Sequence, residues 1–337
     1  MKNFKGKHGP LLIAEIGGNH EGDFEYALKL TKLAIEADVD FIKYQLYSGD
    51  TLVSRKESPI RNMHFKKFEL SKDQYIQLAE LCSINNVGFM ASVWDLDYLS
   101  WIDSYIPIYK IGSGDFTAYP VIEEIVKFKK PIILSAGLCT MQEVLDTVSF
   151  IQKLDAIYLD KNYLSILQCT SMYPIPYSDA NLATMIAFKE QTNLTIGYSD
   201  HTEGSYALEI AVAMGAEILE FHFTDKREGK EFRDHKVSLT KNEVIELTKK
   251  INTINELNGN SIKKPTKIEI ENGHLQSFRR AVYPKLDLKA GTILTKENIT
   301  YLRPNVGIDA RKYKSVLGKT LLEDVKSHQK LDIKILK

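Results

Sequence analysis

The chain has 337 residues, of which 44% are hydrophobic and 26% charged, a balance that excludes a disordered or fibrous polymer. Lys+Arg and Asp+Glu both total 44, so no broad basic field exists for a nucleic-acid backbone, and any anionic ligand must be met by locally placed cations. The cysteines Cys82, Cys139 and Cys169 form no CxxC arrangement and read as small buried hydrophobes of a reducing compartment.

The apolar run "LLIA" near the start is too short for a secretory h-region, and no stretch approaches about 20 apolar residues. A cytoplasmic protein with no membrane partner is expected. Eight short apolar runs then recur: "LLIAEI" (11 to 16), "DFIKYQL" (40 to 46), "GFMAS" (88 to 92), "PIYKIG" (107 to 112), "PIILSAG" (131 to 137), "LSILQCT" (164 to 170), "LTIGYS" (194 to 199) and "EILEFHF" (217 to 223). Segments such as "EYALKLTKLAIEA" between them carry apolar residues at helical spacing. Strict β/α alternation predicts parallel strands with right-handed crossovers, and eight units close into a (β/α)₈ TIM barrel. A doubly wound open sheet competes, but no strand is followed by a GxGxxG turn. "GGNHEG" after the first strand reads as a turn with His20 at the surface, or as part of a site.

The barrel domain is placed at 1 to 257 and a polar linker at 258 to 277. A small, mostly β domain is placed at 278 to 337, where short strands and a turn at "KAG" replace the helical rhythm.

Chemistry in such barrels sits where strands run into βα loops. Period two places Lys43 and Gln45 on one face of the second strand, with Ile42 and Tyr44 on the other. An amine inside a barrel costs several kcal/mol unless an anion offsets it. Lys43 and Lys110 are therefore either salt-bridged structural residues or an anion site, and Ser92, Ser113 and Ser135 nearby suit a phosphate or carboxylate. His201 and His222 end neighbouring strands beside Asp200 and Glu220. Each alone reads as a hydrogen-bonded core residue; together they read as ligands of a divalent metal.

At these residues the sequence resembles the sialic acid synthase family, through "AEIGGNHEG", "IKYQ", "YKIGSGD", "PIILSAG", "QCTSMYPIPYSDANL", "IGYSDHTEG", "FHFTD" and "RDHKVSL". The tail "DLKAGTILTKENITYLRPNVGIDARKYKSVLGKTLLEDV" is similar to that family's SAF (antifreeze-like) domain. The resemblance implies an enzyme that joins phosphoenolpyruvate to an N-acetylmannosamine-type sugar, giving N-acetylneuraminate or a related nine-carbon acid and releasing phosphate. Legionaminate or pseudaminate synthesis from a 2,4-diacetamido-trideoxyhexose is the alternative. It implies a phosphoenolpyruvate site at Lys43, Ser92, Lys110, Ser113, Ser135, Ser171 and Ser199, and a Mn²⁺ site, with Mg²⁺ or Co²⁺ as substitutes, at His201 and His222. Glu15, Gln45, Asp115, Tyr173 and Asp234 are implied for the sugar, with Arg303 supplied across a domain-swapped homodimer. Glu15 reads either as the group that handles a sugar proton or as a hydrogen-bond acceptor.

The pattern departs from the family most in "KREGKEFRDH", which should touch the acceptor. Other readings are a Kdo-8-phosphate-type synthase, a metal-dependent aldolase or isomerase, and a non-catalytic carbohydrate-binding protein.

Overall fold

The computed structural model describes residues 4–337. The first unit is β1 (Leu11–Glu15) and α1 (Phe24–Glu36), whose Asp23 cap accepts from the Tyr26 N–H. β2 (Phe41–Leu46) leads into two short helices, α2 (Gly49–Leu52) and α3 (Pro59–Lys67), and then α4 (Lys72–Ile84). The alternation continues through β3 (Gly88–Val93), α5 (Leu99–Ile102), β4 (Tyr109–Ile111), α6 (Tyr119–Val126), β5 (Ile132–Ser135) and α7 (Met141–Leu154). It ends with β6 (Leu164–Cys169), α8 (Thr184–Thr192), β7 (Thr195–Asp200), α9 (Tyr206–Ala213), β8 (Ile218–His222), α10 (Asp234–Val237) and α11 (Lys241–Asn258). Helix starts are fixed locally by reciprocal capping boxes, Ser71 with Gln74, Thr140 with Glu143 and Thr240 with Glu243, each satisfying two backbone N–H groups that the first turn leaves unpaired.

The strands lie in the order β3-β2-β1-β8-β7-β6-β5-β4, every registered pair parallel, and β3 adjoins β4 to complete the eight-stranded barrel. Alternation sorts each strand into two faces. On β2, Ile42, Tyr44 and Leu46 join the cluster that packs on the helices, as do Leu219, Phe221 and Phe223 around β8. The inward faces form two storeys. Phe4, Leu11, Ile13, Met90, Ile108, Ile133, Leu167 and Ile218 fill the base, each buried aliphatic chain worth about 1.5–3 kcal/mol. Above them the interior turns charged.

The chain divides into two compact units, Met1–Gly259 and Asn260–Lys337. The stretch 258 to 277, expected as a featureless linker, holds α12 (Lys267–Glu271) and α13 (His274–Ser277), the first started by a Thr266–Glu269 capping box. Beyond it, β9 (Ala281–Pro284) and β10 (Ile299–Leu302) pair antiparallel. Val282, Leu288, Leu294, Ile299, Val316, Leu321, Val325 and Leu331 make a separate core. Isolated bridges such as Leu288↔Val325 and Leu321↔Leu336 replace further strands, so this unit is less regular than its sequence texture suggests. Among the described residues no helix is long and apolar enough to cross a membrane.

Candidate active site

The upper storey of the barrel opens into a cavity of about 930 Å³. Strand register builds its floor: Glu15 stands beside Lys43 on one side and His222 on the other, Ser199 beside Glu220, and Gln45 beside Ser92. Lys43 Nζ lies 3.1 Å from Glu15 Oε2 and 3.4 Å from Glu220 Oε2, while Lys110 Nζ lies 3.4 Å from Glu220 Oε1 and donates to Ser135 Oγ at 2.7 Å. Ser199 Oγ donates to Glu220 Oε1 at 3.0 Å, and Gln45 Nε2 donates to Glu15 Oε1 at 2.8 Å. Both lysines are thus salt-bridged, buried and part of the cavity lining.

The two carboxylates divide the two cations unequally. Burial raises the Glu15 carboxyl to about 6, Lys43 offsetting part of the rise and Glu220 adding to it. Burial acts on Glu220 in the same direction, but Lys110 and Lys43 together outweigh it and bring that carboxyl down to about 2. Lys110 is itself lowered, by burial ahead of the opposing pull of Glu220; Lys43 is raised, because Glu15 and Glu220 outweigh its burial.

A pH dependence follows with a definite sign. The unfolded Glu15 carboxyl titrates near 4.5 and the folded one near 6, so the folded state takes up the proton first and loses about 2 kcal/mol as pH rises through that window. Glu15→Gln removes this term. Denaturant titrations at pH 4 and pH 7.5 are expected to shift the variant-minus-parent stability by about 2 kcal/mol in the variant's favour.

His201 and His222 face each other over this floor, ring centroids 5.2 Å apart. His201 Nδ1 bonds the Thr170 carbonyl oxygen at 2.6 Å; in the neutral ring this places the proton on Nδ1 and leaves a lone pair on Nε2. The His201 ring is nonetheless pulled above its ordinary value, Cys169 and the Thr170 carbonyl outweighing burial. His222 is pushed well below its ordinary value by burial first and then by His201 and Lys43, and its Nδ1 is buried without a hydrogen-bond partner. Two imidazoles with a free ring nitrogen suit a divalent transition ion. Among the described residues no group of three or more His, Cys, Asp or Glu side chains has metal-holding geometry, so these two would be the whole protein ligand set.

Two glycines shape the floor. Gly17 has φ +52, a left-handed conformation, and a Cβ there would lie 2.8 Å from Glu15 Oε1, so the turn after β1 needs glycine. A Cβ on Gly137 would lie 2.6 Å from both Ser113 Oγ and Ser171 Oγ, and the Gly137 N–H donates to Ser113 Oγ at 3.1 Å. Gly137→Ala is expected to displace Ser113 and Ser171 and to weaken binding of inorganic phosphate, used as an anion probe in calorimetry, by about 10- to 100-fold, with unchanged circular dichroism.

The segment 225 to 235 crosses the mouth, tethered at both ends. Arg227 bonds Glu243 and the Ser238 carbonyl oxygen. His235 bonds Thr224 Oγ1 at 2.7 Å and Glu21 Oε1 at 3.2 Å. His235 thereby acts as a fastener for the loop. Next to it Asp234, its carboxyl raised chiefly by burial with Arg233 opposing, points Oδ2 to within 3.8 Å of His222 Nδ1. Asn19, in the turn after β1, donates to the Phe223 carbonyl oxygen and Ser238 Oγ. His20 is buried and pushed down to about 4 chiefly by burial, so the surface reading of that histidine does not hold.

Of the residues selected from sequence, Glu15, Lys43, Gln45, Ser92, Lys110, Ser113, Ser135, Ser171, Tyr173, Ser199, His201, His222 and Asp234 line this one cavity. Asp115 does not line it. It ends a single turn (Ser113–Asp115), with a carboxyl raised to about 6 by burial against the pull of Lys110. Arg303 belongs to the second unit, where its guanidinium lies over the Phe278 ring.

Sequence reasoning missed two features. It did not identify Glu220 as counter-ion to both lysines, although period two from His222 points it inward. It also missed an aromatic flank of Tyr47, His64, Phe65, Phe68, Trp94 and Phe232. Tyr47 and Trp94 directly follow β2 and β3, a signal that was available.

Comparison with known proteins follows the same division of the chain. Residues 30–263 match the NeuB family and residues 279–331 match the SAF domain. An N,N'-diacetyllegionaminic acid synthase from Campylobacter jejuni is 33% identical, over 95% of this chain and 98% of its own. A pseudaminic acid synthase from the same species is 31% identical, over 96% of this chain and 95% of its own. The crystal structure of an N-acetylneuraminic acid synthetase from Leptospira borgpetersenii, in complex with citrate, superposes with a TM-score of 0.72 at 30% identity, covering 79% of this chain and 90% of that one. With most of the barrel matched and relatives aligned along nearly its whole length, the chain belongs to the NeuB family and carries a SAF domain after its barrel in sequence.

Proposed function

We propose that this protein condenses phosphoenolpyruvate with an acetamido hexose, forming a nine-carbon 2-keto-3-deoxy sugar acid and inorganic phosphate. One observation carries the reading. Among the described residues, Trp94 Nε1 and His222 Nδ1 of this cavity are buried without a hydrogen-bond partner, and Glu15 Oε2, Glu220 Oε2 and Asp234 Oδ1, also of this cavity, are met only by ion-pair contacts to Lys43 and Arg233. A buried polar atom left wholly unpartnered costs about 1–3 kcal/mol, and this concentration of under-satisfied groups is expected of a site built for a polar ligand. Membership of a family of sialic-acid-type synthases supports the same reading.

In this reading Lys43 and Lys110 hold the phosphate and carboxylate of phosphoenolpyruvate, and Ser92, Ser113, Ser135, Ser171 and Ser199 surround them with neutral donors. Because those donors are fixed by strand ends, they stabilise developing charge without reorganising. His201 and His222 would hold a divalent cation such as Mn²⁺, which would supply Lewis acidity toward the sugar aldehyde. Glu15, its carboxyl raised toward neutrality and oriented by Gln45, exchanges a proton with the sugar oxygen. Tyr173 and Asp234 orient the acceptor. The C3 of phosphoenolpyruvate bonds to the aldehyde carbon, water adds at C2, and the resulting hemiketal phosphate releases phosphate to leave the keto group.

The test is to mix the protein, Mn²⁺ and phosphoenolpyruvate with N-acetylmannosamine or a 2,4-diacetamido-trideoxyhexose, and to follow phosphate and keto acid. Acceptor-dependent release of both is expected; no turnover with either sugar overturns the reading. Arabinose 5-phosphate in a parallel reaction tests the Kdo-8-phosphate-type alternative.

A further inference from the structure

The unit that carries the cavity is acidic. Residues 1 to 259 hold 27 Lys+Arg against 36 Asp+Glu, so the barrel as a whole repels an anion, while the ligand proposed for its floor carries both a carboxylate and a phosphate. One stretch has the opposite sign. Residues 49 to 67, which follow β2 at the mouth and form α2 and α3, hold Arg55, Lys56, Arg61, Lys66 and Lys67 against Asp50 and Glu57.

Ion pairing sorts these cations. Arg55 and Lys66 are matched by Asp50, at 3.3 and 2.7 Å. Arg61 and Lys67 line the cavity and stand over rings instead, 5.6 Å from the Phe65 centroid and 6.0 Å from that of Phe68. Such contacts steady a cation and leave its charge uncancelled. Elsewhere on the rim the charges are matched: Lys230 lies 4.0 Å from Glu21 and Arg233 Nε 3.3 Å from Asp234 Oδ1, with Glu231 adding one more carboxylate. The His64 ring, on the same helix as Arg61 and Lys67, is pushed below its ordinary value by burial first and then by Arg233, Lys67 and Arg61. Their positive potential therefore reaches a residue of the cavity wall.

We infer that Arg61 and Lys67 are capture residues, which draw a phosphate-bearing carboxylate to the mouth of an otherwise repelling barrel and pass it down to Lys43 and Lys110. Both side chains are exposed, so salt screens them, and they act on the rate of arrival more than on the hold at the floor. The inference rests on the phosphoenolpyruvate site proposed above.

The test is the association rate of phosphoenolpyruvate, read by stopped flow through the fluorescence of Trp94, which lines the cavity. Inorganic phosphate is the second probe, and calorimetry establishes whether each binds. The parent rate is expected to fall about tenfold between about 20 mM and about 500 mM salt. The double variant Arg61→Gln, Lys67→Gln is expected to start about tenfold lower at low salt and to lose most of the salt dependence, with its dissociation rate unchanged. Arg61→Lys with Lys67→Arg is expected to keep the parental rate, because steering depends on charge and not on side-chain identity. A parent rate insensitive to salt, or one that the double Gln variant leaves intact, overturns the inference and leaves the floor site standing. Faster dissociation with unchanged association makes the two cations ligands of the bound anion and overturns the capture role. Failure of both probes to bind the parent overturns the phosphoenolpyruvate reading and this inference together.

Discussion

Lys110→Met is expected to reduce kcat/KM for phosphoenolpyruvate by about 10³-fold, the cost of removing a fixed charge that faces a reacting anion. The same change is expected to destabilise the fold by about 3 kcal/mol, the lower end for breaking a buried ion pair, because Lys43 still reaches Glu220. The two effects separate by pH. Lys110 is the larger of the two cationic influences holding Glu220 at about 2 against a usual value of 4.5. A carboxyl depressed in this way stabilises the folded state above the unfolded value and loses that contribution as pH falls through the folded one. The stability gap between parent and variant is therefore expected to be full at pH 7, smaller at pH 3 and gone below about pH 2, as read by denaturant titration. Activity retained within tenfold at pH 7 would make Lys110 a counter-ion of Glu220 and nothing more.

His222→Ala is expected to abolish Mn²⁺ binding in calorimetry and to reduce phosphate release by about 10³-fold, the several kcal/mol a Lewis-acid ion supplies. The fold is expected to survive. His222 is buried and neutral, its Nδ1 has no hydrogen-bond partner, and its ring neighbours are His201 and Tyr173. Removing it exchanges a poorly satisfied polar group for a small void, two costs of opposite sign. Near-parental melting together with lost calorimetric heat is the expected pair of results. Unchanged heat would take His222 out of the metal site, and chelation of the parent protein gives the matching control.

The barrel was legible because its signal is periodic and local. Eight β-rich runs, each returning after a helix-length segment, leave little freedom, and period two along "FIKYQL" was enough to send Lys43 and Gln45 inward. The placing of the two histidines was legible for the same reason, as His222 ends β8 and His201 directly follows β7, its neighbour in the sheet. Long-range charge pairing was less visible. Glu220 serves Lys43 and Lys110 through space from a strand far along the chain, and its sequence neighbours carry no sign of either lysine. The aromatic flank was missed because it is assembled from four separate stretches, of which only "HFKKF" is compact. Asp115 lies in a strand-end motif yet ends a single turn and is not among the residues that line the cavity, and sequence spacing does not record that turn. The helices within 258 to 277 were missed although Thr266 and Glu269 stand at capping-box spacing, because the segment is exposed on every side and lacks the apolar stripe by which a packed helix is recognised.

The packed base of the barrel, where Phe4 joins the innermost aliphatic layer, closes the chamber beneath the lysines. In the condensation proposed above, what the lysines hold at the bottom must then arrive before what rests above it, and anything released at the bottom must wait for the upper occupant to move or leave with it. Order of arrival and departure is thus imposed by the packing of residues that touch neither reactant.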